Sequence, residues 1–175
     1  MLNDKNRQKL GKDCAYIGVF VALTITTQLC LSFLPGVELV TALFVAFAFA
    51  FGCQRGIAAA TVFSLLRQFV FGFYPTVLVL YLIYYNLLCL LFGFLGRWSR
   101  LTPQKVLWLT AVACVCTICF TMLDNIITPL WYGYSGRVFK IYFYASLSVM
   151  LPQVICTAVS VGVLLYPLVN FFQRL

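Results

Sequence analysis

Glu38, Arg67 and Asp124 are charged residues set among long apolar runs, in a chain of 175 residues that is 63% hydrophobic and 9% charged. A charge in hydrocarbon is costly, and it persists where it faces a bundle interior, meets an opposite charge, or lines the path of an ion or ligand. A guanidinium suits an anionic or carbonyl-bearing group through charge-assisted hydrogen bonds. The carboxylates leave a zwitterionic ligand equally open. The competing reading is a purely structural ion pair of Arg67 with Asp124 or with Glu38.

Other chemistry is thinly provided. The chain has no histidine, so the commonest general base, metal ligand and haem ligand are missing together. Glu38 and Asp124 are the only acidic residues beyond the N-terminal segment, which leaves little for a two-metal or aspartyl site. Cys114, Cys116 and Cys119 form a C-x-C-x-x-C run, but on a helix Cys114 turns away from the other two, so a three-thiolate metal site requires a broken helix. No glycine-rich phosphate loop is present, and energy input falls to an ion gradient or another subunit. No enzymatic activity, no metal site and no cofactor of its own are expected.

Mean hydropathy of +1.01 and 17% aromatic residues lie far outside the soluble range. The reading is an all-α, polytopic integral membrane protein: one transmembrane domain over 1–175, with 1–13 as a cytoplasmic N-terminal segment. Residues 1–13 begin like a signal peptide, yet the apolar run that follows lacks a small-residue cleavage site and is long enough to stay as a helix. Apolar runs predict six crossing helices: Cys14 to Phe33, Val37 to Phe51, Gly56 to Phe73, Thr76 to Leu95, Val106 to Ile127 and Val138 to Phe171. Pro35-Gly36, Gly52, Tyr74-Pro75, Thr102-Pro103 and Gly133 to Gly136 supply the breaks. The last run exceeds one crossing, and Pro152 and Pro167 are candidate bends within it.

Lys5, Arg7, Lys9, Lys12, Arg55, Arg97, Arg100, Lys105 and Arg174 fall on one side of this arrangement, and only Arg137 and Lys140 on the other. The positive-inside bias then places both termini in the cytoplasm and explains the net charge of +8 without nucleic acid. Helical rise puts Arg67, Asp124, Glu38 and Gln28 in the outer half, with Asn86 and Gln153 near mid-depth. Polar residues recur at three-and-four spacing: Thr61, Ser64, Arg67 and Gln68; Thr117, Thr121, Asp124, Asn125 and Thr128; Tyr142, Ser146, Gln153, Thr157 and Ser160. Hydroxyl contacts between helices account for Thr61 and Thr117. Tyr81, Tyr84, Tyr85 and Trp131 crowd the outer half, as interface anchors or as walls for a flat ligand.

Gly18 and Ala22, four apart in the segment GVFVA, present one small face on which another helix can dock, inside the bundle or on a partner. That segment, LPGVELV (34–40) and LLYPLVNFF (164–172), with the size and helix count, resemble the substrate-binding S components of energy-coupling factor (ECF) vitamin transporters of prokaryotes. The resemblance implies a pocket open to the outside and capped by the first, third and fifth loops. It also implies docking on a transmembrane coupling subunit through Gly18 and Ala22, a pair of cytosolic ATPases that alone use ATP, and the prokaryotic plasma membrane. Gly18 stands where the family usually has alanine, and no signature matches the thiamine, riboflavin or biotin members, so substrate identity does not carry over.

The expected function is capture of a water-soluble vitamin or similar micronutrient for an ECF-type ABC importer. Arg67, Glu38, Asp124 and Asn125 set ligand polarity, Gln28, Asn86 and Gln153 hydrogen-bond it, and Tyr81, Tyr85 and Trp131 flank it. The alternatives are an ion-coupled secondary transporter that works without an ATPase and a ligand-free assembly protein.

Overall fold

The computed structural model describes residues 4–34, 39–98 and 101–174, and among them every element is a helix. The order is α1 (Asp4–Leu31), α2 (Val40–Phe51), α3 (Cys53–Phe71), α4 (Pro75–Trp98), α5 (Pro103–Tyr132) and α6 (Gly136–Gln173). Segments of α1 (Leu10–Leu31), α4, α5 and α6 are long and apolar enough to cross a membrane. Their outward faces carry bare apolar side chains such as Leu107, Leu130 and Val163, as a lipid solvent favours. These are the helices of a membrane protein.

The second predicted crossing takes a different form. Its helix has 12 residues, about 18 Å of rise against about 30 Å of hydrocarbon, too short to cross unaided. Its sequence, VTALFVAFAFAF, is apolar on every side, the pattern of a helix enclosed by others. Every residue from Val40 to Phe49 is indeed buried. α2 is therefore a central pillar, packed against α6, α4, α3 and more lightly α1. Its rings tie the bundle: Phe47 stacks on Phe20 of α1 at 4.0 Å, and Phe44 meets Tyr85 of α4 at 4.8 Å and Phe63 of α3 at 5.2 Å. The third run also falls below crossing hydropathy, since α3 carries Gln54, Arg55, Arg67 and Gln68.

Gly52, at φ +86°, makes the one-residue reversal from α2 into α3, and its N–H closes the last turn of α2 on the Ala48 carbonyl at 2.8 Å. Contacts of Asp13 with Arg55, Phe20 and Phe51 with Phe172, Gln28 with Arg67 and Ser146 with Asn125 show the helices alternating in direction, with the first described turns of α1 and the last of α6 at one end, here the terminal end. Arg55, Arg97, Lys105 and Arg174 gather at that terminal end, whereas Arg137 and Lys140 lie at the opposite one. At the terminal end Arg55 pairs with Asp13 at 2.7 Å, the only ion pair among the described residues, joining α1 to α3. Partly exposed, with side chains 30% and 25% accessible, this pair contributes at most about 1 kcal/mol.

α6 is continuous through Pro152 and Pro167. Its second half packs on the pillar through Val161, Leu165 and Val169, but no residue from 136 to 156 is buried, and this first half leans on α5. α1 packs on α3 and α2, and neither α5 nor α6 runs along it, although Phe20 and Phe172 touch near the terminal end. The bundle is closed at that end and parted at the other.

Close approach of α4 to the pillar depends on Gly96, where a Cβ would lie 2.2 Å from the Phe49 carbonyl oxygen. Gly96→Ala is expected to lower the melting temperature in detergent, by an overpacking penalty of about 1–3 kcal/mol. Gly162→Ala, whose added carbon would meet only Thr110 at 3.9 Å, serves as the comparison and is expected to melt unchanged.

Candidate functional site

At the end opposite the termini, residues from all six helices surround a cavity of about 580 Å³. That volume lies within the range of small-molecule sites, about 300–1,000 Å³. Its walls hold five of the residues expected from the sequence: Gln28, Arg67, Tyr81, Asp124 and Gln153. The last turn of α3 brings Arg67 in, the distal part of α5 brings Asp124, and the unburied half of α6 closes the side with Tyr142, Ser146 and Gln153.

Among the described residues Arg67 has no counter-ion. Its Nε–H donates to Gln28 Oε1 at 3.1 Å, and the Gln28 amide donates to the Tyr81 hydroxyl at 3.2 Å, linking α3, α1 and α4. The guanidinium carbon stands 4.8 Å from the Phe71 ring centre and 4.5 Å from that of Tyr81. Each such cation–π contact contributes about 0.5–2 kcal/mol, depending on desolvation. A hydrogen bond to a charged group adds about 1.5–3 kcal/mol. Together these match the penalty of about 2.5–3.5 kcal/mol that insertion scales assign to a charge at mid-membrane. They do not use all its donors, for Nη1 is buried and has no acceptor.

Asp124 is dressed in a different way. Thr128 donates to its Oδ1 at 2.7 Å and Tyr142 to its Oδ2 at 2.5 Å, so the carboxylate is fixed between α5 and α6 by hydroxyls. A carboxylate offers about four lone-pair sites, and two hydroxyls leave capacity for a ligand. Neither Asp124 nor any other described acid lies within ion-pair distance of Arg67, so the Arg67–Asp124 pair weighed from the sequence is not formed. Glu38, its other proposed partner and an expected ligand contact, lies outside the described residues.

Four expected contacts sit elsewhere. Tyr85 is fully buried one turn below Tyr81, with its ring against Phe44 and Phe63. Asn86 accepts from Thr61 at 3.3 Å and donates to its own helix at the Leu82 carbonyl, a polar tie between α3 and α4. Asn125 is buried behind the wall, where its Oδ1 accepts from Ser146 at 2.7 Å while Nδ2 has no partner. Trp131 is exposed near the end of α5, in keeping with an interface anchor. Thr117 meets Thr157 of α6 at 3.1 Å, the expected hydroxyl contact.

Phe71 and Phe120 line the cavity without having been expected there, and Tyr142 and Ser146, read from the sequence only as part of a polar stripe, line it too. Phe71 follows Arg67 by four residues and Phe120 precedes Asp124 by four, so helical periodicity already aligns both with the charges. Cys116 and Cys119 border a separate cleft of about 220 Å³ between α4 and α5, lined chiefly by Leu, Ile and Tyr side chains, while Cys114 points toward the Val154 carbonyl of α6. Cys114 thus faces away from the other two, which share one cleft. Gly18 and Ala22 are exposed, and a Cβ on Gly18 would meet nothing within 4 Å, so their contact inside the bundle is not formed.

Comparison with protein-family models, curated proteins and solved structures gives no match.

Gln28 is the hub of the Arg67 assembly. Gln28→Ala strands the Nε–H, and a loss of about 1–3 kcal/mol is expected, read as a lower melting temperature in detergent. Thr27→Ala, which removes only a bond to the Leu23 carbonyl of the same helix, should leave the melt nearly unchanged.

Proposed function

We propose that this chain is the substrate-capture subunit of an ECF-type ABC importer, which binds a water-soluble vitamin or similar micronutrient and releases it after docking on an ATP-driven module. The observation that carries the reading is the cavity itself, which draws on all six helices and holds Arg67 and Asp124 apart from one another. A charge whose donors are left open in an apolar bundle has its natural partner in a ligand.

In this reading all six helices lie in the prokaryotic plasma membrane, α2 completing its crossing within the shell of the others. Both termini are cytoplasmic, because the arginines and lysines of the terminal end outnumber Arg137 and Lys140 at the other. The cavity then faces outward. Gln28, Arg67, Tyr81, Asp124 and Gln153 contact the solute, with Tyr142 and Ser146 beside them. The partners are a transmembrane coupling subunit and a pair of cytosolic ATPases, which alone consume ATP. Gly18 and Ala22 receive the coupling subunit, supported by their exposed, unfilled face. The protein itself performs no covalent chemistry and needs no bound cofactor.

Paired variants separate the two roles. Arg67→Ala is expected to lose the copurifying solute, identified by mass spectrometry of denatured protein, and to retain the ATPase partners. Gly18→Leu is expected to lose the partners and retain the solute. Loss of solute by Gly18→Leu with the partners still attached contradicts this division. If nothing copurifies, no compound from a vitamin panel binds and no ATPase accompanies the protein from its host, the capture reading fails. Proton-driven uptake by proteoliposomes holding this chain alone establishes an ion-coupled carrier in its place.

A further inference from the structure

The two charges that the described residues bring to the cavity are compensated separately, and this bears on what fits between them. Arg67 rests on two rings and one amide oxygen, none of which carries negative charge. Asp124 rests on two hydroxyls, neither of which carries positive charge. Each side chain therefore keeps its formal charge unpaired among the described residues, and both border the same space. A solute with only an anionic group satisfies Arg67 and meets Asp124 as a like charge. A solute with only a cationic group meets the reverse. Both mismatches are penalised, and the apolar walls of Phe71, Tyr81 and Phe120 strengthen the penalty over its value in open water.

We infer that the cavity selects a zwitterion built on a flat ring: a carboxylate or similar anionic group against the Arg67 guanidinium, an ammonium or strong donor against Asp124, and the ring among Phe71, Tyr81 and Phe120. The unsatisfied Nη1 of Arg67 supplies a donor for the anionic group. The carboxylate of Asp124 accepts from the ammonium with the lone pairs that Thr128 and Tyr142 leave open. Tyr81 serves twice, as an aromatic wall and as one of the two rings that hold Arg67 in place. The inference rests on the cavity being a solute site, and it narrows the class of solute to one with two opposite charges.

Three probes of one shape test it on the full chain in detergent, by titration calorimetry. They are 4-(aminomethyl)benzoate, which carries both charges; 4-methylbenzoate, which carries only the anion; and 4-methylbenzylamine, which carries only the cation. The zwitterion is expected to bind at least about tenfold more tightly than either analogue, as one charge-assisted hydrogen-bonded contact implies. Arg67→Gln should erase the advantage over 4-methylbenzylamine alone, and Asp124→Asn the advantage over 4-methylbenzoate alone. The comparison among probes on the unaltered protein stands even if a variant misfolds. A single-charge analogue that binds within twofold of the zwitterion overturns the inference and leaves solute capture intact. So does a copurifying compound with one charge or none. If none of the three probes binds, the inference is overturned as well, while capture itself is judged on the copurifying compound.

Discussion

A guanidinium inside an apolar bundle has to be solvated by whatever surrounds it, and here the surroundings are two aromatic faces and an amide. That requirement organises the end of the molecule away from its termini. Phe71 must follow Arg67 on the same face of α3, Tyr81 must reach across from α4, and Gln28 must come from α1. Three helices are thereby pinned around one side chain. Where hydrocarbon offers no water, such a polar cluster specifies register more sharply than interchangeable apolar contacts can.

The pillar formed by α2 solves the complementary problem at the other end. Alanines alternate with phenylalanines along it, so that neighbouring helices approach closely at the small residues and interlock rings at the large ones. Gly96 of α4 comes up against the Phe49 backbone, and Phe172 of α6 reaches Phe47 and Phe51. Packing of this kind needs no polar group, and the described residues of the pillar carry only Thr41. The polar lining of the cavity is left for the opposite end.

Much of this was legible in the sequence, because lipid imposes long apolar runs separated by breakers. The order of the six helices and the positions of Gly52 and Gly133 as stops follow from that alone. Hydropathy marks where a helix is apolar, not where it ends, so the polar turns of α1 before Cys14 and of α5 after Ile127 stay helical beyond the predicted limits. A run apolar all round looks alike whether it faces lipid or other helices, so the enclosure of α2 by its neighbours is not legible in its sequence. Within the site, the residues projected inward by charge, Arg67 and Asp124, do share one cavity. Asn86 and Asn125 were not separable from them, because an amide can satisfy a neighbouring helix as readily as a ligand, and only tertiary contacts decide which. Tyr85 was misplaced in the same way: one turn along α4 from Tyr81 moves a ring from the wall into the core.

The two halves of α6 differ in what holds them. The part beyond Thr157 is anchored in the pillar, whereas the part before it leans on α5 alone and carries Tyr142, Ser146 and Gln153. That side of the chamber thus rests on a single neighbour, while its continuation is fixed in the pillar. Swinging it outward breaks hydroxyl contacts such as Tyr142 with Asp124 and Ser146 with Asn125, but disturbs no aromatic packing around α2. The weakest-held wall of the chamber and the firmest packing of the bundle therefore belong to one and the same helix.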